Sequence, residues 1–371
     1  MAESIAGVSV VGVVGAGTMG AGIAQVALEA GHEVVLHDVD EAAIERGRTR
    51  IEDGLRRRAT KRGLDAGEAE RWVGEALGRL RDGHVLDEVA EGDLVVEAAL
   101  EDLELKQTIF RALDATAAPS TVLATNTSAL PVAAIAAATT RPDRVIGLHF
   151  INPAPVMALV EVVAPAEASA EAVARGEAVV AGWGKIPIRS ADVPGFIVNR
   201  VNRPFTLVPL RLLEGGVAGI RAIDAAVAAA GFPLGPFGYL DLVGLDVNLA
   251  ATKAIWEGLG RPDRLRPAAL QERLVAEGSL GRKVGRGFYR YEGGQAIGPD
   301  APFAALAERS TLDPEAIVRR IRIALADEAR LAVGEGVASP DDIDRALRLG
   351  ANHPTGPLEW ADEGANRPPV P

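Results

Sequence analysis

Four polar residues stand against apolar surroundings in the middle of this chain. His149 follows the apolar run Val145–Leu148 and precedes Phe150-Ile151-Asn152-Pro153. Glu161 interrupts a second apolar run, Leu159-Val160-Glu161-Val162. Ser128 closes Thr125-Asn126-Thr127-Ser128 at the end of another strand-like segment, where the loops of an open sheet hold their ligands. Asn199 lies in Asp192-Val193-Pro194-Gly195-Phe196-Ile197-Val198-Asn199-Arg200, near a helix start. An imidazole titrates near neutrality and suits the removal of a proton from a hydroxyl. A buried carboxylate orients such a ring and stabilises its protonated form. A hydroxyl and an amide hydrogen-bond an oxygen and the charge that develops on it. Taken singly, each residue also has a plain structural reading. His149 could be a core histidine and Glu161 a salt-bridge partner, and Ser128 could cap a helix running from Leu130, with Asn199 a similar cap.

The elements that must position these groups begin near the N-terminus. Val10–Val14 is an apolar run, followed at once by Gly15-Ala16-Gly17-Thr18-Met19-Gly20 and a helical pattern to Ala30. A second apolar run, Val34-Val35-Leu36, ends at Asp38. Strand, Gly-x-Gly-x-x-Gly, helix and an acid about 20 residues on form a dinucleotide-binding fingerprint. Gly15 makes the tight turn, Gly17 admits a pyrophosphate, and Gly20 lets helix and strand pack closely. The amides of Thr18, Met19 and Gly20 and the positive end of the helix dipole meet the phosphates. Asp38 holds the adenosine ribose hydroxyls and repels a 2′-phosphate, which favours NAD over NADP. With such a cofactor, loss of hydride from an alcohol carbon requires a base for the hydroxyl proton.

Strand patterns at Val8–Val14, Glu33–Leu36, Leu94–Glu97, Thr121–Thr125 and Val145–Leu148 alternate with helical ones at Gly20–Ala30, Glu41–Arg62, Glu68–Leu77 and Leu103–Thr116. Such alternation implies an α/β Rossmann-type doubly wound parallel sheet. Ala158–Val163 extends it, and Lys185–Ile188 adds a short strand. Beyond about Gly195 strand signals stop and an all-α domain follows, which contains a repeat. Ile197-Val198-Asn199-Arg200 aligns with Ile317-Val318-Arg319-Arg320 at an offset of 120. Ala222-Ile223-Asp224 aligns with Asp342-Ile343-Asp344 and, one inserted residue later, Leu234-Gly235-Pro236-Phe237 with Thr355-Gly356-Pro357-Leu358. The expected organisation is a nucleotide-binding domain over 1–192, a helical domain over 193–292 and a partial second helical repeat over 302–371, with Glu292–Pro302 as linker. Apolar Ile317, Ile321, Leu325 and Leu331 in the second copy are expected to pack on the first.

The chain has 371 residues, 48% of them hydrophobic, a net charge of -12 and no cysteine. The acidic balance excludes nucleic acid as a partner. Lack of cysteine excludes disulfides and thiolate chemistry. The first ten residues carry no basic and apolar leader pattern, and no uncharged apolar run reaches the length of a membrane span, so a cytoplasmic protein is expected. His32, His37, His84 and His353 have no partners at metal spacing, so no metal is expected and these four are read as surface or loop residues.

These stretches together resemble the 3-hydroxyacyl-CoA dehydrogenase family, which includes 3-hydroxybutyryl-CoA dehydrogenases. The resemblance rests on Gly15–Gln25, Val95-Val96-Glu97-Ala98, Thr125–Ser128, Gly147–Pro153, Leu159–Val162, Pro194–Arg200 and Gly281–Tyr289, and spans residues 7 to about 291. It implies NAD-dependent oxidation of an (S)-3-hydroxyacyl-CoA to the 3-oxoacyl-CoA, or the reverse. His149 becomes the base and Glu161 its partner, while Ser128 and Asn199 contact the substrate oxygen. Glu101, Lys106 and Asn126 join Asp38 around the NAD. Lys61, in the basic run Arg56–Arg62, matches a lysine that contacts coenzyme A. The resemblance also implies helical domains that pair, either in a homodimer or, here, as an intrachain pseudo-dimer. Departures are Gly54 where a serine is frequent, Val208-Pro209 in place of Glu-Ala, and Gly238 after Phe237 in place of Glu. Pro209 is expected to kink its helix. The second copy has Arg319 where the first has Asn199, so it cannot supply a second site. Two other readings are a dehydrogenase for a CoA-free hydroxy acid, resembling gulonate dehydrogenase, and a non-enzymatic, crystallin-like dinucleotide-binding protein. The basic run argues against the one and the complete polar set against the other.

Overall fold

A computed structural model describes residues 5–365; the outermost positions of the first and third expected domains, 1–4 and 366–371, lie outside the described residues. The chain divides into two compact units, Met1–Asp192 and Val193–Pro371.

The first unit is a sheet with helices on its faces. In chain order its elements are β1 (Val10–Val14), α1 (Thr18–Glu29), β2 (Glu33–His37), α2 (Glu41–Lys61), α3 (Ala66–Leu77), β3 (Leu80–Gly83), α4 (Leu86–Ala90), β4 (Leu94–Glu97), α5 (Leu103–Thr116), β5 (Val122–Thr125), α6 (Val132–Ala136), β6 (Val145–Phe150), β7 (Leu159–Ala164), α7 (Ala170–Gly182) and β8 (Ile186–Ala191). The sheet order is β3-β2-β1-β4-β5-β6-β7-β8. Its strands are near-continuous Val, Leu and Ile because both faces are covered. One core joins Val11, Val13, Ile23, Leu28, Leu36, Val96, Leu148 and Val162.

Two features depart from the alternating pattern. β3 reads Leu-Arg-Asp-Gly and has no apolar signature; it exists because its backbone pairs with β2 at the sheet edge. β7 lies antiparallel to β6, and β8 then runs parallel to β7. The segment between Phe150 and Leu159 is too short for the helical crossover that a parallel return requires. The sheet is therefore mixed, not wholly parallel.

The second unit comprises α8 (Val198–Val201), α9 (Arg203–Glu214), α10 (Ile220–Ala229), α11 (Pro236–Val243), α12 (Leu245–Gly258), α13 (Ala269–Ala276), β9 (Tyr289–Glu292), β10 (Gln295–Pro299), α14 (Ala301–Ala304), α15 (Pro314–Gly334), α16 (Pro340–Gly350) and α17 (Pro357–Ala365). The expected linker is in fact mostly an antiparallel hairpin, β9–β10. Gly293 and Gly294 both sit at positive φ, 56° and 78°, as a tight two-residue turn demands. α9 runs on through Pro209, which sits buried within it.

The repeat is visible in how each copy builds one corner. Asp224 accepts the Phe237 and Gly238 amides at 2.9 and 3.1 Å, and Asp344 accepts those of Leu358 and Glu359 at 2.8 and 3.0 Å. Each aspartate caps the first turn of the helix that follows its Gly-Pro. Both copies share one core, in which Phe205, Leu210, Ile223 and Leu240 join Ile317, Ile321 and Leu325. α15 packs on α9 and α10. Leu331, expected on the same stripe, is instead exposed, since six residues past Leu325 it has rotated off the buried face.

Full burial of one Ile or Leu stabilises by about 1.5–3 kcal/mol. Ending the chain after Tyr291 should uncover the faces that Ile317, Ile321 and Leu325 occupy. The truncated chain should aggregate or dimerise in light scattering and melt at a lower temperature. A monomer with an unchanged melting temperature would show that the second copy does not support the first.

Candidate active site

The antiparallel β6·β7 pairing sets His149 directly opposite Glu161. Residues so paired project from the same face of the sheet. His149 Nδ1 and Glu161 Oε2 lie 2.5 Å apart, with His149 6% and Glu161 0% exposed. A carboxylate only accepts, so Nδ1 carries the hydrogen of this bond. This is the arrangement that readies an imidazole to take a proton and stabilises the cation that results.

Ser128 lies in the loop after β5, and that loop is tied to Glu101. The Glu101 carboxylate accepts the Thr127 hydroxyl at 2.6 Å and the Ser128 and Ala129 amides at 2.9 and 3.2 Å, with Ser128 Oγ at 3.4 Å. Burial raises the Glu101 pKa, but Lys106 and these donors outweigh it and hold the carboxyl below its usual range. Ser128 does not cap the helix after Leu130. α6 begins at Val132, and its Val132 and Ala133 amides go to Asp192 at 2.9 and 2.7 Å. Asn126 Oδ1 accepts the Phe150 amide at 2.9 Å, which ties the loop after β5 to the end of β6 beside His149.

Lys106 is 1% exposed, with its ammonium 2.6 Å from buried Glu97 and 3.4 Å from Glu101. Glu97 also takes the Thr125 hydroxyl at 2.7 Å. Glu97 and Lys106 thus fasten the ends of β4 and β5 to the loop that holds Ser128. Asn199 is the second residue of α8, not its cap; the N-cap is Ile197. Arg203 Nε donates to the Asn199 carbonyl at 2.6 Å.

The glycine-rich turn fits a dinucleotide. Gly15 has φ +98°, and a side chain there would meet Ala98 O at 2.6 Å. A Cβ on Gly20 would fall 1.7 Å from Gly15 O, so only glycine lets α1 approach β1 this closely. Gly17 faces open space within 4 Å, on the side where phosphates meet the unpaired first-turn amides of α1. Asp38 directly follows β2; its Oδ2 accepts the Ala16 amide at 2.8 Å and its Oδ1 that of Asp40 at 3.2 Å. A carboxylate has lone pairs left for ribose hydroxyls after two such bonds.

Lys61 is the last residue of α2 and is exposed. Its neighbours are engaged: Arg56 with Glu52 and Glu70, Arg58 with Glu29, and Arg62 over the Trp72 ring. Among the described residues, no carboxylate lies within ion-pair distance of Lys61. Gly54 packs against Gln25, whose Oε1 would be 2.0 Å from an added Cβ.

Of the four histidines read as surface or loop residues, His84 is exposed, His32 and His353 lie in loops but are buried, and His37 is buried within β2. His37 Nδ1 meets Gly83 O at 2.8 Å, and His353 Nε2 meets Asn202 Oδ1 at 2.8 Å. Burial pushes the His353 pKa down to about 4. Among the described residues no cluster of His, Asp and Glu could hold a metal, and no helix is long and apolar enough to cross a membrane. Sequence reasoning also missed Lys185, whose ammonium donates to Ala154 O and Met157 O at 2.7 Å each, pinning the loop after β6. Burial lowers its pKa to about 8. No local pattern marks a lysine whose partners are backbone carbonyls.

Comparison with known proteins identifies the family. The family model "3-hydroxyacyl-CoA dehydrogenase, NAD binding domain" matches residues 10–193, and the model of the C-terminal domain matches 195–291 and 317–365. The 3-hydroxyadipyl-CoA dehydrogenase of Escherichia coli K12 is 37% identical, covering 95% of this chain and 90% of its own. A probable 3-hydroxybutyryl-CoA dehydrogenase of Deinococcus radiodurans is 40% identical over 76% of this chain and 99% of its own. The crystal structure of a 3-hydroxybutyryl-CoA dehydrogenase from E. coli K12 superimposes with a TM-score of 0.85 at 35% identity, covering 96% of this chain and 91% of that one. The chain belongs to the 3-hydroxyacyl-CoA dehydrogenase family, enzymes that oxidise 3-hydroxyacyl-CoA with NAD.

Proposed function

We propose that this enzyme interconverts (S)-3-hydroxyacyl-CoA and 3-oxoacyl-CoA with His149 as the general acid–base. The observation that carries this reading is the 2.5 Å contact of His149 Nδ1 with fully buried Glu161. NAD, when bound, supplies the hydride acceptor. In the oxidation direction, His149 Nε2 takes the proton of the 3-hydroxyl, and Glu161 stabilises the imidazolium that forms. Ser128 and Asn199 hydrogen-bond the substrate oxygen and steady its charge. The amides of Thr18, Met19 and Gly20, with Gly15 and Gly17, hold the pyrophosphate, and Asp38 the ribose. Asn126 and Glu101 complete the cofactor side, with buried Lys106 supporting Glu101. A cytoplasmic location is part of this proposal.

The second helical copy stands, in this proposal, where a partner subunit's helical domain would stand. Reciprocal contacts support it. In the repeat alignment Asn202 corresponds to Arg322, and Phe232 to His353. His353 bonds Asn202, while Arg322 lies 6.0 Å over the Phe232 ring. Position i meeting j and j meeting i is the signature of a two-fold interface.

His149→Gln should lower kcat by roughly 10²–10⁴, the usual worth of acid–base catalysis, and leave NADH binding unchanged. Glu161→Gln should also lower kcat. Turnover near wild type in His149→Gln would remove that residue from the mechanism.

NADH should be preferred to NADPH at least about tenfold in kcat/KM, or about 1.4 kcal/mol. Asp38→Ala should narrow that gap. Equal use of both cofactors by the wild type would contradict the role given to Asp38.

Lys61→Ala should raise KM for acetoacetyl-CoA, less so at high salt, and hardly at all for acetoacetyl-pantetheine, which lacks the nucleotide. The wild type should turn over acetoacetyl-CoA far better than free acetoacetate. Equal losses with both thioesters would place Lys61 outside the CoA site, and preference for free acetoacetate would favour the gulonate-dehydrogenase-like reading.

A further inference from the structure

Beside Asn199 lies Arg200, which is 0% exposed. Two of its three guanidinium nitrogens are held by the second helical copy: Nε donates to Glu328 Oε1 at 2.9 Å and Nη1 to Glu335 Oε2 at 2.6 Å, while Nη2 is buried without a hydrogen-bond partner among the described residues. Glu328, 1% exposed, also accepts Arg264 Nε at 2.6 Å, so two cations face two carboxylates.

Such a network is costly to bury, and replacing one with apolar groups frequently leaves stability unchanged or improved. Its presence asks for a purpose other than holding helices together. The repeat supplies a clue. At the offset of 120, Arg200 corresponds to Arg320, and Glu328-Ala329 to Val208-Pro209. The mirror-image pair would join Arg320 to position 208, but that position is valine and Arg320 is exposed. If the pair served only to join the copies, either direction would do. It is present only in the direction that ends next to Asn199, and absent in the direction that would end next to Arg319.

The geometry shows how it would act. Asn199 and Arg200 are consecutive in a helix of four residues, so anchoring one side chain fixes the rotation of the other about the helix axis. The second copy also grips Asn202, two residues beyond Arg200, through His353. Arg203 takes the Asn199 carbonyl.

We propose that Glu328 and Glu335 are positioning residues for Asn199, acting through Arg200, so that the second helical copy sets the substrate-facing amide of the first. This rests on the reading that Asn199 contacts the substrate oxygen.

The test is a double-mutant cycle in the full-length enzyme, with acetoacetyl-CoA and NADH. Asn199→Ala should lower kcat by about a hundredfold and Glu328→Gln by about tenfold, with the Kd for NADH unchanged. In the Asn199→Ala background, Glu328→Gln should cause no further loss, because the group it positions is already gone. A merely structural role would instead multiply the two losses, and that result overturns the proposal. So does a normal kcat in Glu328→Gln where Asn199→Ala is impaired. A normal kcat in Asn199→Ala would instead refute the reading of Asn199 itself, and the proposal with it. Should Glu328→Gln fail to fold, Glu335→Gln carries the same cycle, since its carboxylate is half exposed and its removal leaves Glu328 on Arg200.

Discussion

The antiparallel pairing of β6 with β7 is the constraint on which the candidate site depends. In the parallel remainder of the sheet, neighbouring strands offer their C-terminal ends to the same edge. Reversing β7 places Glu161, from the interior of its strand, across from His149 near the end of β6. Two residues twelve apart in sequence become a fully backed hydrogen-bonded pair with no loop flexibility between them. Strand pairing holds both backbones, so no further backbone entropy is lost when the bond forms.

Around this pair, buried polar groups fasten loops that carry the remaining chemistry. Glu97 and Lys106 tie the ends of β4 and β5 together, Glu101 gathers the Thr127 hydroxyl and the Ser128 and Ala129 amides, and Lys185 pins the loop after β6. Asp192 caps α6 from sixty residues away. Each is a charge or near-charge satisfied by fixed donors or acceptors, as burial requires. Their common effect is rigidity at the C-terminal edge of the sheet, where this class of fold binds its ligands. The glycine-rich turn achieves closeness by another route, through missing side chains at Gly15 and Gly20.

The helical unit shows what duplication does to an interface. Two copies of one motif share a core, and the paired aspartates Asp224 and Asp344 repeat the same cap. The two copies nonetheless differ at the positions that face each other. The first keeps Asn199 and Arg200 and has valine and proline at 208 and 209; the second keeps Glu328 and Ala329 and has arginine at 319. A covalently joined pair is free to lose symmetry, because each position no longer has to serve both sides of the contact.

Much of this was legible in the residues alone. The nucleotide turn, seven of the eight strands of the sheet, the helical repeat and the family motifs rest on short-range patterns, and such patterns survive without knowledge of the fold because adjacent residues carry them. What only tertiary structure decided concerns partners distant in sequence or elements without an apolar signal. β3 is a polar edge held by backbone bonds, β9–β10 is a hairpin inside a Gly-rich stretch, and three histidines are core residues. The direction of β7, the cap from Asp192 and the clasp of Arg200 by Glu328 depend on which surfaces meet when the chain closes. A residue's type states what it can bond; its partner is chosen by packing, and packing is a property of the whole chain.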